Sequence, residues 1–249
     1  MAYVVGVDGC AGGWIAASRD ARGAISCRRV GTIEELFETM RPDVAGVDVP
    51  IGLLGRGARN CDLEARRLLG VRRSSVFPAP TRAILTATSH GEASRIRDGV
   101  EQKRVSIQAW AIVPKVAEVD RYLRAHRVRS DIVREVHPEV SFFFLNGKQP
   151  MTLSKKKAAG RAERLSVLHP WCGNAVADAP IGAKEAGLQG GRHRGCVRGA
   201  LDRRTHRLWR VDLDPGKARI GRLRPTDPDD GMKRPESISS ITVLTVMTV

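Results

Sequence analysis

Acidic side chains are in short supply. The 249 residues hold 27 Asp and Glu against 42 Lys and Arg, a formal net charge of +15, and the pI is near 10.5. That imbalance points to a polyanionic partner, nucleic acid first. Arginine-rich usage from a GC-rich genome gives the same numbers, because charge speaks to association and not to fold. Cysteine is sparse too. The five present (Cys10, Cys27, Cys61, Cys172, Cys196) are odd in number and widely spaced, without a C-x-x-C pair, which argues against a disulfide framework or a zinc knuckle. No apolar run approaches the roughly 20 residues that span a bilayer. No charged and apolar leader precedes the first strand. A cytoplasmic location without a membrane partner is therefore expected. Aromatics are only 4% of the chain. Trp110 and the run Phe142 to Phe144 sit among apolar neighbours and read as core rather than as platforms for stacked bases.

What is present begins at Tyr3-Val4-Val5-Gly6-Val7-Asp8-Gly9, where β-forming residues run into one carboxylate and then glycine. This reads as a buried strand with Asp8 at its end. A carboxylate there is costly unless a cation or a hydrogen-bond donor compensates it. A second copy of the pattern follows at Val44-Ala45-Gly46-Val47-Asp48-Val49-Pro50. If the two strands are neighbours, Asp8 and Asp48 meet at one edge of the sheet, as a divalent-cation site requires. An Asx turn at Asp8 and a polar strand terminus at Asp48 are the plain alternatives.

Taken in order, Trp14 to Ser18 and Ile25 to Val30 read as a second and a third strand joined by an Asp20 to Gly23 turn. Thr32-Ile33-Glu34-Glu35 is a capping box that opens a helix ending before Pro42. Strand Val44 to Val49 comes next, so the opening is a meander with a helical crossover back to the first strand. Asp62 to Leu69 reads as a helix, with Asp62 and Glu64 in surface ion pairs by default. Arg72 to Arg82 is an irregular basic segment. Thr86 to Gln102 is helical in part, and Ile107 to Ala125 is a helix that Pro114 should kink or split. Asp131 to Val136 reads as a fifth strand, His137 to Phe144 as a turn into a short helix, and Ser154 to Leu168 as a basic helix. From about Gly187 the periodicity fails. Arg222 to Pro235 has the composition of a disordered segment, and Ile241 to Val249 is apolar and β-prone.

Several stretches together resemble the domain of unknown function numbered 429, a family regarded as predicted nucleases of the ribonuclease H-like fold. They are V-G-V-D-G-C-A-G-G-W at Val5 to Trp14, G-V-D-V-P-I-G-L at Gly46 to Leu53, and R-N-C-D-L-E-A-R-R-L-L-G at Arg59 to Gly70. S-S-V-F-P-A-P-T-R at Ser74 to Arg82 and S-I-Q-A-W-A-I-V-P-K-V at Ser106 to Val116 follow. The set ends with V-R-E-V-H-P-E-V-S-F at Val133 to Phe142 and S-K-K-K-A-A-G-R-A-E-R at Ser154 to Arg164. The resemblance implies an α/β, ribonuclease H-like mixed sheet, a three-strand meander plus helical crossovers, with helices on both faces. It also implies metal-dependent hydrolysis of phosphodiester bonds. Asp8 and Asp48 would be metal ligands and catalytic groups, with Glu139 as the third, around Mg²⁺ or Mn²⁺. Arg72, Arg73, Arg82, Lys115 and Lys155 are candidate phosphate contacts on a nucleic-acid partner, or else a solvated face. Glu139 equally suits the first turn of a helix begun at Pro138, and His137 a packed structural role or a proton shuttle.

The resemblance covers roughly residues 3–186, so 1–186 is expected to form one domain and 187–249 an atypical basic tail. Relatives usually follow the G-A-K-E segment with a helix containing D-x-x-D-A and W-T-A-R-R-I, and this chain does not. Ala200 to Trp209, back-translated with GC-rich codons and shifted by one base, can read R-W-T-A-A-R-I-A-S-G. A frameshift near Ala186 would explain that, and an intact reading frame in independent isolates would remove the idea. Two other functions compete with the nuclease. One is a nucleotide-binding phosphotransferase of the actin and sugar-kinase type, which shares the core but needs a second phosphate loop not found after Asp48. The other is a non-catalytic nucleic-acid binder.

Overall fold

The computed structural model describes residues 3–172 except 21 and 23, together with the strands at 209–211 and 220–222. Its centre is a mixed sheet of five strands: β1 (Val4–Cys10), β2 (Gly13–Arg19), β3 (Ile25–Val30), β4 (Val44–Val47) and β5 (Val133–Glu135). They lie in the order β3-β2-β1-β4-β5, with β1, β2 and β3 antiparallel, and with β4 and β5 parallel to β1. The sheet is thus not a simple meander. After β3 the chain crosses through α1 (Ile33–Met40) and returns on the far side of β1. Short hairpins can join antiparallel strands, but a parallel neighbour needs such a crossover.

The β1–β2 hairpin turns on Ala11-Gly12, with Gly12 at φ +71°, a conformation that glycine adopts without a steric penalty. Period-2 alternation sends Val5 and Val7 of β1, Trp14 and Ala16 of β2, and Ala45 and Val47 of β4 to one face. There they pack against Ile33, Leu36 and Phe37 of α1 and against Val116, Val119 and Tyr122 of α4 (Ile107–Ala125). Truncating any fully buried member, such as Leu36, costs about 2–5 kcal/mol. Glu118 of α4 ties this layer together by accepting from Trp14 Nε1 at 2.9 Å and from Ile33 N at 2.7 Å.

The forward half of the expected capping box is present, with Thr32 Oγ1 accepting from Glu35 N at 3.0 Å, while the Glu35 carboxylate reaches one residue further back and accepts from Gly31 N at 2.7 Å. Before Pro42, Arg41 takes a left-handed φ of +46° and ends α1. Of the two outcomes expected of Pro114, a kink or a split, the split does not occur. Val113, Val116, Val119 and Tyr122 are buried on one continuous helix, and this packing holds it through the missing hydrogen bond. The remaining helices are α2 (Asn60–Leu69), α3 (His90–Glu101), α5 (Pro138–Leu145) and α6 (Ala158–Cys172), with 3₁₀ turns at Gly70–Ser75, Arg82–Thr86 and Arg127–Asp131. That last turn takes up the start of the expected fifth strand, so β5 begins only at Val133.

Of the tail, the described part is an antiparallel pair, β6 (Trp209–Val211) and β7 (Ile220–Arg222), where the sequence suggested no strand. The expectations of disorder beyond Arg222 and of a lost helix after Ala186 lie outside the described residues. Among the described residues no helix is long and apolar enough to cross a membrane.

Candidate functional site

Parallel pairing of β1 with β4 aligns Val7 with Val47, and Asp48 N donates to Val7 O at 2.9 Å. Asp8 follows Val7 within β1 and Asp48 follows Val47 just past the end of β4, so the pairing sets them side by side. Val7 enters the core, so alternation turns Asp8 to the opposite face. Neither site solvates a carboxylate well. Burial raises Asp8 to about 6, against a hydrogen bond from Gly9 N and the positive charge of Lys155. Asp48 is raised well above the ordinary carboxylate range, first by burial and next by the charge of Asp8. Two like charges here hinder each other's ionisation.

Lys155 lies in the loop before α6, and its charge acts on both aspartates. The S-K-K-K-A-A-G-R-A-E-R stretch is what fastens that loop. Arg164 donates from Nη1 to Leu153 O and Gly160 O, both at 3.0 Å. The Glu163 carboxylate accepts from Thr152 N at 2.7 Å and from Leu153 N at 2.9 Å. Gly160 is needed because a Cβ there would stand 2.0 Å from Ser154 O, a backbone atom. Gly160→Ala is expected to lower stability by about 2–3 kcal/mol through this overpacking, read as a lower urea midpoint.

Glu139 occupies the first turn of α5, where Pro138 supplies the helix start. It is only 6% exposed. Its Oε1 accepts from Arg164 Nη2 at 2.6 Å and from Arg72 Nη2 at 3.4 Å, while Oε2 is buried without a partner. Glu139 is thus the counter-ion of two arginines. Beside it, His137 Nε2 lies 3.2 Å from Ser75 O, and burial lowers the imidazole's proton affinity. Among the described residues no group of three or more His, Cys, Asp or Glu side chains stands close enough together to hold a metal ion. Asp8, Asp48 and Glu139 therefore do not form a ready-made cage of three carboxylates.

The expected phosphate contacts divide. Arg72 is engaged by Glu139, and Arg82 holds Asp120 through Nη1 at 2.8 and 2.7 Å. Lys115 Nζ lies 4.5 Å from the Trp14 ring centroid and 3.6 Å from Glu118 Oε2. Arg73 and Lys155 are exposed. Sequence reasoning passed over Arg59, and it took Asp62 for a surface residue. Both are buried. Arg59 Nε and Nη2 donate to the Asp62 carboxylate at 3.0 and 2.5 Å. Arg59 Nη1 and Nη2 donate to Glu135 of β5 at 2.6 and 2.8 Å, and Nη1 also to Ile51 O at 2.7 Å. Glu135 in turn accepts from Ile51 N at 2.8 Å, so this network anchors the loop that follows Asp48. Glu64 does pair on the surface, with Arg67.

These features define a mixed α/β protein with two half-buried aspartates side by side, one in β1 and one just past β4. Residues 6–198 match the sequence profile of the family described as protein of unknown function DUF429, and the chain belongs to that family. The match continues past Ala186, where the resemblance read from motifs ended. No curated protein and no solved structure matches the chain.

Proposed function

We propose that this chain is a metal-dependent nuclease with a ribonuclease H-like core. The observation that carries the reading is the side-by-side placement of Asp8, in β1, and Asp48, just past the parallel strand β4, each half-buried and with Asp48's proton affinity raised by burial and by the charge of Asp8. Such a pair is unfavourable for the protein alone, and a divalent cation relieves it. The donor set fits Mg²⁺ or Mn²⁺, because Mg²⁺ is commonly held by one or two carboxylates and completed by waters and substrate phosphates. A cation bound there supplies an activated water and stabilises charge on the phosphodiester oxygens. The sheet order, three antiparallel strands and then two parallel ones on the other side of β1, supports the ribonuclease H-like assignment. Lys155 holds positive charge at the same edge, where a phosphate would lie.

The test combines Mn²⁺ and Mg²⁺ calorimetry with a cleavage screen over RNA, DNA, hybrid and junction substrates. Metal binding and cleavage by the parent, both absent in Asp48→Asn, are the expected result. Cleavage that persists in EDTA or in that variant overturns the reading.

A further inference from the structure

A cleft of about 440 Å³ opens between the loop that leaves Asp48 and α4, and neither Asp8 nor Asp48 lines it. Its floor is apolar, with Pro50, Ile51 and Leu53 from the loop and Leu123 from α4. Its one carboxylate, Asp120, is neutralised by Arg82. Arg124 and Arg127 also line it. Both are exposed, and neither side chain makes a hydrogen bond or ion pair among the described residues. The cleft therefore pairs two uncompensated guanidiniums with an apolar bed, in a volume suited to a small ligand. That chemistry suits one nucleotide unit of a single strand: phosphate oxygens meet the arginines, and an unstacked base or sugar covers the floor. A duplex keeps its bases stacked and leaves such a floor uncovered.

We infer that this cleft binds a single-stranded nucleotide segment, with Arg124 and Arg127 on its phosphates. The inference rests on the nucleic-acid reading above, but it concerns binding without metal and needs no catalysis. Through Pro50 and Ile51 the cleft is built on the segment that follows Asp48, so a strand seated there lies beside that end of the sheet.

The experiment is fluorescence anisotropy of a short labelled RNA or DNA single strand, in EDTA, with the full chain. The double variant Arg124→Glu, Arg127→Glu is compared with Lys103→Glu, Arg104→Glu, an exposed charge-matched pair outside the cleft. Reversal in the cleft is expected to weaken binding about 10- to 100-fold and to make the salt dependence shallower by about 0.7 per lost phosphate contact. The control pair is expected to change affinity only about 2- to 3-fold, the effect of overall charge. Equal losses in the two variants, or no single-strand binding by the parent, overturn the inference. Thermal melts confirm that both variants fold. A parent that binds through the cleft yet never cleaves sinks the nuclease reading and leaves the cleft standing.

Discussion

Asp8→Asn is expected to lower metal-dependent cleavage by about 10³-fold or more, and to make the metal-free protein more stable. Both effects have one origin. Losing even an outer partner of a metal site costs about 10- to 100-fold, and Asp8 is assigned to the inner set with only one other carboxylate. The stability gain follows from its raised proton affinity. With the folded value near 6 and the unfolded value near 3.8, the folded state takes up the proton more readily than the unfolded chain. The ionised carboxylate therefore opposes folding. Asp8's own contribution to stability is fully present below about pH 4 and is lost as pH rises toward 6. Removing the charge should restore about 2 kcal/mol at pH 7, after allowance for partial exposure. Urea titrations of parent and variant at pH 4 and pH 7, in EDTA, should differ only at the higher pH. Saturating Mn²⁺ should stabilise the parent and not the variant. A variant less stable than the parent at pH 7 would show that Asp8 is a turn-forming residue, held by its hydrogen bond from Gly9.

Much of the sheet was legible because its signals are local. Apolar runs of four or five residues, the Thr32–Glu35 box and the Asp20 turn follow from spacing alone. A helix between β3 and β4 then leaves few topologies other than β4 beside β1. The adjacency of Asp8 and Asp48 followed from the same logic. What stayed hidden depends on partners distant in sequence. Glu139 reads equally well as a metal ligand or as a helix-start acid. Its packing against Arg72 and Arg164, 67 and 25 residues away, comes only with the fold. Lys115 reads as a free cation until Trp14 and Glu118 are seen against it. Pro114 breaks a helix judged by propensity, and tertiary packing overrides that here. Asp62 at three residues from Arg59 was a visible signal. It reads as a surface pair unless one knows that Glu135, 76 residues on, closes the other side of the guanidinium.

That closure makes Arg59→Met the substitution with the largest expected structural cost. All five guanidinium N–H groups are engaged, by Asp62, Glu135 and Ile51 O, and Arg59 is only 2% exposed. Truncation leaves the Asp62 and Glu135 carboxylates facing each other across an apolar side chain. Breaking a buried ion network from one side costs about 3–5 kcal/mol, because the remaining charges lose their compensation. Arg59→Lys keeps the charge but not the planar fork, so a smaller loss of about 2 kcal/mol is expected. Urea midpoints of both variants against the parent at pH 7 measure the two losses. The damage should also reach the candidate site, because Glu135 and Arg59 hold Ile51 by both its N–H and its carbonyl, three residues beyond Asp48. Weaker Mn²⁺ binding in Arg59→Lys, measured where that variant remains folded, is the expected sign. Unchanged binding there would mean that β4 alone positions Asp48 and that the network serves stability only.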